Sequence, residues 1–204
     1  MKVILIRHGM TQGNEEKRYM GITDESLCEN GIRALEENVK KGIYPSADRL
    51  FVSPMKRCME TGRLLYPALS QAVVQDFREC DFGTFEGKNY KELSDDENYR
   101  RWIQSNGTLP FPKGEEVESF KRRCQEAFRQ CMESMEAFSL TDISVALVVH
   151  GGTIMAIMER YAVPQKGYYD YQVANGLGYM AEYSDGRLCD VHVLGANSGK
   201  NWVP

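Results

Sequence analysis

The chain has 204 residues, 42% of them hydrophobic and 26% charged, a length and balance that fit one globular domain over residues 1–204 with a sizeable core. Its 25 Lys and Arg against 29 Asp and Glu leave a net charge of −4, so the overall field favours neither nucleic acid nor an anionic membrane, and an anionic ligand would need a local basic pocket. No stretch approaches a membrane span, the four-residue apolar run before Arg7 is too short for a signal-peptide core, and six scattered cysteines without a C-x-x-C pair suggest the reduced thiols of a cytoplasmic protein.

In chain order, the first predicted strand is Lys2 to Ile6, and it ends in Arg7-His8-Gly9. A helix follows from Glu29 to Lys40, stopped by Gly42 and Pro45. Arg49 to Val52 is the second strand, and Ser53-Pro54 is predicted to open a helix that runs toward Tyr66 and stops at Pro67. Ala72 to Val74 reads as a short strand, Phe77 to Gly87 as an irregular acidic segment, Lys88 to Gln104 as one or two polar helices, and Asn106 to Gly114 as a loop. The clearest helix is Glu115 to Phe138, where Val117, Phe120, Cys124, Phe128, Cys131 and Met135 recur at three- and four-residue steps. Val145 to Val149 is a strand ending in His150-Gly151-Gly152, and Thr153 to Tyr161 is a helix. Leu177 to Tyr183 and Leu188 to Leu194 flank the turn Ser184-Asp185-Gly186 as a hairpin, with a loose polar tail over 195–204. Strands separated by helices imply a three-layer α/β/α sandwich on a mostly parallel central sheet, with an antiparallel edge. Residues 88–114 lie outside that alternation and are expected to form a helical lid.

Two of the three histidines, His8 and His150, follow apolar strands and precede glycine. Ligands of open α/β sheets bind beyond the carboxyl ends of strands, so neighbouring strands would aim both imidazoles into one crevice beside Arg7. Such a group suits phosphomonoester chemistry, which needs a nucleophile, fixed donors for the phosphoryl oxygens and an acid for the leaving group. His8 offers the nucleophilic nitrogen; Arg7 and Arg57 offer planar forks; Asn14 an amide; His150 a second donor; and Gly151-Gly152 backbone N–H groups at a helix start. For the acid, Glu79 competes with Asp81 and Glu86 of the same loop. His192, Trp102, Tyr168, Tyr169 and Tyr171 read as structural, and Arg100-Arg101 as a solvated helix face.

The residues also carry a resemblance. Arg7-His8-Gly9-Met10-Thr11, Asn14, Ser53 to Arg57, Arg78-Glu79-Cys80-Asp81-Phe82-Gly83 with Glu86-Gly87, Phe111 to Glu116, and Val148 to Gly152 follow one another in the order of motifs of the histidine phosphatase superfamily, phosphoglycerate mutase-like branch. The resemblance implies a phosphorylated His8, a phosphate pocket of Arg7, Asn14, Arg57, His150 and Gly151, Glu79 as acid then base, and no metal or cofactor. Cys28 stands where the family often has threonine at a helix cap, and Glu116 where it has serine. Cys80 and Tyr90 occupy positions where mutases usually carry arginine and lysine, which favours a phosphatase. Length and the acidic loop resemble the alpha-ribazole phosphatases. The expected substrate is a small anionic phosphomonoester. A mutase needing a bisphosphate cofactor, or a non-catalytic phospholigand-binding module, are the alternatives. A dinucleotide-dependent dehydrogenase is disfavoured, since no G-x-G-x-x-G follows the first strand.

Overall fold

The computed structural model describes residues 1–138, 140 and 142–195; the tail expected over 195–204 lies outside these residues from 196 onward. Six strands form one sheet: β1 (Lys2–Arg7), β2 (Arg49–Val52), β3 (Gln71–Val73), β4 (Ser144–Val149), β5 (Gly178–Ser184) and β6 (Arg187–Val193), in the order β3-β2-β4-β1-β5-β6. β1, β2, β3 and β4 run parallel and β5 and β6 complete an antiparallel edge. Helices are α1 (Gln12–Glu15), α2 (Glu29–Lys40), α3 (Lys56–Leu65), α4 (Glu97–Gln104), α5 (Val117–Ala137) and α6 (Gly151–Tyr161). None among the described residues is long and apolar enough to cross a membrane.

The central strands read as unbroken apolar runs because both of their faces are covered. On one face Val3, Leu5, Val145, Leu147 and Val149 pack with Phe128, Met132, Ile154 and Ile157 of α5 and α6. On the other, Ile4, Ile6, Ala146 and Val148 pack with Leu50, Val52 and Cys58. The result is the expected α/β/α sandwich. Cys124 and Cys131 share the buried stripe of α5. A third cluster, built on Phe85, Leu93, Tyr99, Phe111 and Phe120, joins the 88–114 insertion to α5.

Several boundaries differ from the sequence reading, each for a local reason. α3 begins at Lys56, not at Ser53-Pro54. The Ser53 hydroxyl lies 2.7 Å from Nε2 of His150, and Asp24 instead accepts from the Lys56 N–H at 2.8 Å. Of Lys88–Gln104 only Glu97–Gln104 is helical, capped by the Asp96 carboxylate, while residues 90–95 are turn, held where Asn89 Oδ1 accepts from the N–H groups of Lys91 and Glu92. α6 starts two residues earlier than Thr153, directly after His150. The short α1 escaped the sequence reading because it is held by a capping box, Thr11 with Asn14, rather than by apolar periodicity.

Candidate active site

β1 and β4 are neighbours, with Arg7 opposite Val149 and the His8 N–H donating to Val149 O at 2.9 Å. That register sets the two histidines side by side at the carboxyl end of the sheet, ring centroids 5.2 Å apart and nearly edge-on. Both rings are buried. A cavity of about 290 Å3 opens beside them, walled by Arg7, His8, Asn14, Glu79, Gly151 and Gly152 among others. Arg57 and His150 are fully buried against this group.

Each side chain is fixed by the segment around it. His8 Nδ1–H donates to Gly9 O at 2.7 Å, which leaves the Nε2 lone pair unengaged. The Gly9 N–H donates to Thr61 Oγ1, and Thr61 Oγ1–H to Arg57 O, tying the loop after β1 to α3. Asn14 Oδ1 accepts from the Thr11 N–H at 3.2 Å and from Asn175 Nδ2 at 3.0 Å, so its Nδ2 is the end available to a bound anion. Arg7 donates from NH1 to Val173 O, and Arg57 donates to Thr23 O and Gly21 O, each at 2.8 Å. The Nε–H of both arginines is nevertheless buried without a partner. Two guanidinium donors left unmet in one buried place are a costly arrangement unless an anion meets them.

Burial, with the nearby charges second, sets the titration of the site. Burial, then Arg57 and Arg7, hold His8 well below the ordinary imidazole value. His150 is lowered in the same way, by burial first and then by Arg57 and His8. Both rings are therefore neutral around pH 7, His8 as a free base. Glu79 moves the other way: burial raises its pKa above the ordinary carboxyl range, against the Cys80 and Gly152 N–H groups and the two arginines. Its Oε1 accepts from Cys80 N at 3.0 Å and Oε2 from Gly152 N at 3.3 Å. The competing carboxylates are spent elsewhere. Glu86 accepts from Gly21 N, Ile22 N, Thr23 Oγ1 and Phe82 N, and Asp81 caps Gly83 N at 2.7 Å.

The structure thus brings together Arg7, His8, Asn14, Arg57, Glu79, His150 and Gly151. Arg100 faces away, toward Ser94 O and Asp95, and His192 pairs with Asp190 on the outer hairpin. Sequence reasoning missed Arg18, Gln172 and Val173, which also line the cavity, and Asn175, whose amide binds both His8 O and Asn14 Oδ1. The Asn175-Gly176 pair before β5 was the available signal, a turn dipeptide at a strand start. Arg18 had none, and its guanidinium is engaged by Glu16 and Glu92.

Comparison with known proteins agrees with this geometry. The model of the histidine phosphatase superfamily (branch 1) matches residues 3–195. An adenosylcobalamin/alpha-ribazole phosphatase of Salmonella typhimurium is 25% identical over 209 residues, covering all of both chains. A protein of Enterobacter sp. (strain 638) named "probable phosphoglycerate mutase GpmB" is 29% identical over 140 residues, 67% of this chain and 65% of that one. This chain therefore spans slightly under two thirds of that mutase relative. Among solved structures, the alpha-ribazole phosphatase of Shigella flexneri superposes with a TM-score of 0.79 at 22% identity, covering 95% of this chain and 96% of that one.

Proposed function

Because the chain belongs to the histidine phosphatase superfamily, we propose that it is a metal-independent phosphatase that hydrolyses small phosphomonoesters through a phosphohistidine at His8. The observation that carries this reading is a neutral His8, with Nε2 unengaged, facing across one cavity a Glu79 carboxyl whose pKa burial raises, with Arg7 in the cavity wall, Arg57 buried behind the site, and the Nε–H of both arginines unmet. The phosphoryl oxygens take the Arg7, Arg57 and Asn14 donors, and their charge draws a proton onto His150, which becomes a further donor held by Ser53. Nε2 of His8 attacks phosphorus. The bond to the ester oxygen breaks, and the Glu79 proton goes to that oxygen, releasing an alcohol. Glu79, now a carboxylate, takes a proton from water. The hydroxide oxygen bonds to phosphorus as the N–P bond breaks, and phosphate leaves with His8 and Glu79 restored.

The ester named for the full-length relative, alpha-ribazole phosphate, belongs in any substrate screen. A reducing, cytoplasmic setting fits the six free cysteines. The test is hydrolysis of 4-nitrophenyl phosphate with a chelator present, by the native chain and by His8→Ala. Turnover that survives chelation and vanishes in the variant supports the reading; substantial turnover by His8→Ala refutes it.

A further inference from the structure

A second cavity, of about 220 Å3, adjoins the first, and Tyr19, Glu79, Phe82, Gly152 and Met155 stand in the walls of both. Besides Cys80, Gly107 and Val117, the rest of its wall is aromatic: Trp102 and Phe111 from residues 88–114, Phe120 from α5, and Tyr168 and Tyr169 from the turn after α6. Among the described residues, Glu79 is the only Asp, Glu, Lys, Arg or His that lines it. Two cations lie against rings of this wall and are paired: Lys121, 4.6 Å from the Tyr168 ring centroid, with Glu159 and Glu118, and Arg123, 4.9 Å from the Phe120 ring centroid, with Glu115. Trp102 Nε1–H is buried in this region with no partner.

We propose that this chamber is the leaving-group subsite and that it selects phosphomonoesters of uncharged aromatic alcohols against those of acidic or small polar alcohols. The proposal rests on the phosphatase reading. Its geometric basis is the place of Glu79. A phosphoryl group beside His8 and an alcohol in the aromatic chamber put the bridging oxygen at the boundary of the two cavities, where the carboxyl stands. An aromatic alcohol buries apolar surface there and meets ring edges and faces. A carboxylate in the same place would be desolvated beside Glu79 in a chamber that no Lys or Arg lines among the described residues. Glycerate esters, the substrates of mutases, are therefore disfavoured by the same wall.

The test uses primary-alcohol esters, so that leaving-group acidity is closely matched: 2-naphthylmethyl phosphate, glycerol 3-phosphate and 3-phosphoglycerate. The expected result is a kcat/KM for the naphthylmethyl ester at least roughly 100-fold above that for 3-phosphoglycerate. Trp102→Leu should shrink the naphthylmethyl-to-glycerol ratio about tenfold. Calorimetry of 2-naphthylmethanol added to the native protein in phosphate buffer reads the chamber without catalysis, and saturable binding weakened by Trp102→Leu is expected. Equal turnover of the three esters, or preference for 3-phosphoglycerate, overturns the subsite and leaves the phosphatase reading standing. Failure to hydrolyse any ester, nitrophenyl phosphate included, overturns the phosphatase reading instead; absence of naphthylmethanol binding then overturns the chamber as well. If Trp102→Leu does not fold, the native ester ratio decides.

Discussion

Replacing Glu79 by Gln keeps the size of the side chain and removes its proton. Burial raises the pKa of this carboxyl and so favours its neutral form, which the variant's amide matches in charge. It does lose one acceptor: Oε1 and Oε2 each take a backbone N–H, from Cys80 and Gly152, and an amide can accept only at one end. The expected stability loss is that of one unsatisfied buried donor, about 1–3 kcal/mol, or a Tm lower by a few degrees. The catalytic loss should depend on the ester. A positioned acid contributes roughly 100- to 10,000-fold, about 3–5 kcal/mol of barrier, but only where the leaving oxygen needs a proton. For an alkyl phosphate, kcat/KM should fall by that factor. For 4-nitrophenyl phosphate, whose anion leaves unaided, kcat/KM should fall far less, while kcat falls because the phosphohistidine has lost the base that activates water. Rapid-mixing assays with the nitrophenyl ester should then show a stoichiometric burst of nitrophenolate followed by slow turnover. Equal losses in kcat/KM on both esters, with no burst, would take the acid role away from Glu79.

Other predictions follow from the same geometry. Because kcat/KM needs a neutral His8 and a protonated Glu79, and His8 is lowered while Glu79 is raised, the profile should hold its activity well below the ordinary imidazole range and fall as pH rises through the Glu79 value; in Glu79→Gln the alkaline limb specific to alkyl esters should disappear. The two histidines are buried neutral, with folded pKa values below the unfolded one, so the stability they carry is complete above the ordinary imidazole value. It is lost as pH drops below that value, at about 1.4 kcal/mol per pH unit for each ring; urea unfolding of His8→Ala should show a shallower slope than the native chain. In Gly152→Ala the new Cβ would lie 2.6 Å from Glu79 Oε1 and 3.0 Å from Phe120 Cζ, so Glu79 must move: kcat/KM on alkyl phosphates should fall at least about tenfold with a smaller loss on the nitrophenyl ester. Gly178→Ala would set a Cβ 1.7 Å from Leu5 O, between paired strands β1 and β5. Thermal unfolding should show a drop of more than about 2 kcal/mol, with catalytic constants of the folded fraction unchanged.

The central sheet and the histidine pair were legible because one physical condition produced both signals. Strands buried on two faces must be apolar throughout, so the sudden change at Arg7-His8 and at His150 marks where the sheet ends and the crevice begins. Arg57 was legible by its place after β2, and its burial agrees with that placement. What could not be read was the outcome of competition for polar atoms. Ser53 before Pro54 has the signature of a helix cap, yet its hydroxyl lies against His150, and Asp24 from a distant loop caps α3. Asp81, Glu79 and Glu86 are equivalent in a linear reading of their loop. Only their partners separate them. The aromatic chamber was hidden for a related reason: Trp102, Tyr168 and Tyr169 were read as packing residues, and they do pack, but the faces they leave open depend on how α4, α5 and the turn after α6 meet.

The segment Phe111 to Glu116, one of the motifs that carry the resemblance, acts on the site at one remove through Glu115. Glu115 does not line either cavity beside Glu79. It forms a two-point pair with Arg123 of α5, both contacts at 2.7 Å, the geometry that fixes a guanidinium plane most firmly. The same guanidinium donates to the carbonyls of Asp76, Arg78 and Glu79. Three successive donors on one planar group leave the loop little freedom to twist at Glu79. The pair is largely buried, with side chains 12% and 18% exposed, so solvent screens it weakly and the constraint persists at ordinary ionic strength. Without that hold, an irregular segment of turns would let Glu79 turn toward water, where its pKa would return toward the ordinary carboxyl value. Burial raises the acid's pKa only while the backbone keeps it buried, so the Arg123–Glu115 pair supports that upward shift through the loop's shape even though it also places a cation nearby. The insertion therefore contributes twice to the site we propose: its aromatic rings wall the leaving-group chamber, and the acidic residue at its end holds in place the loop whose carboxyl stands at the chamber's mouth.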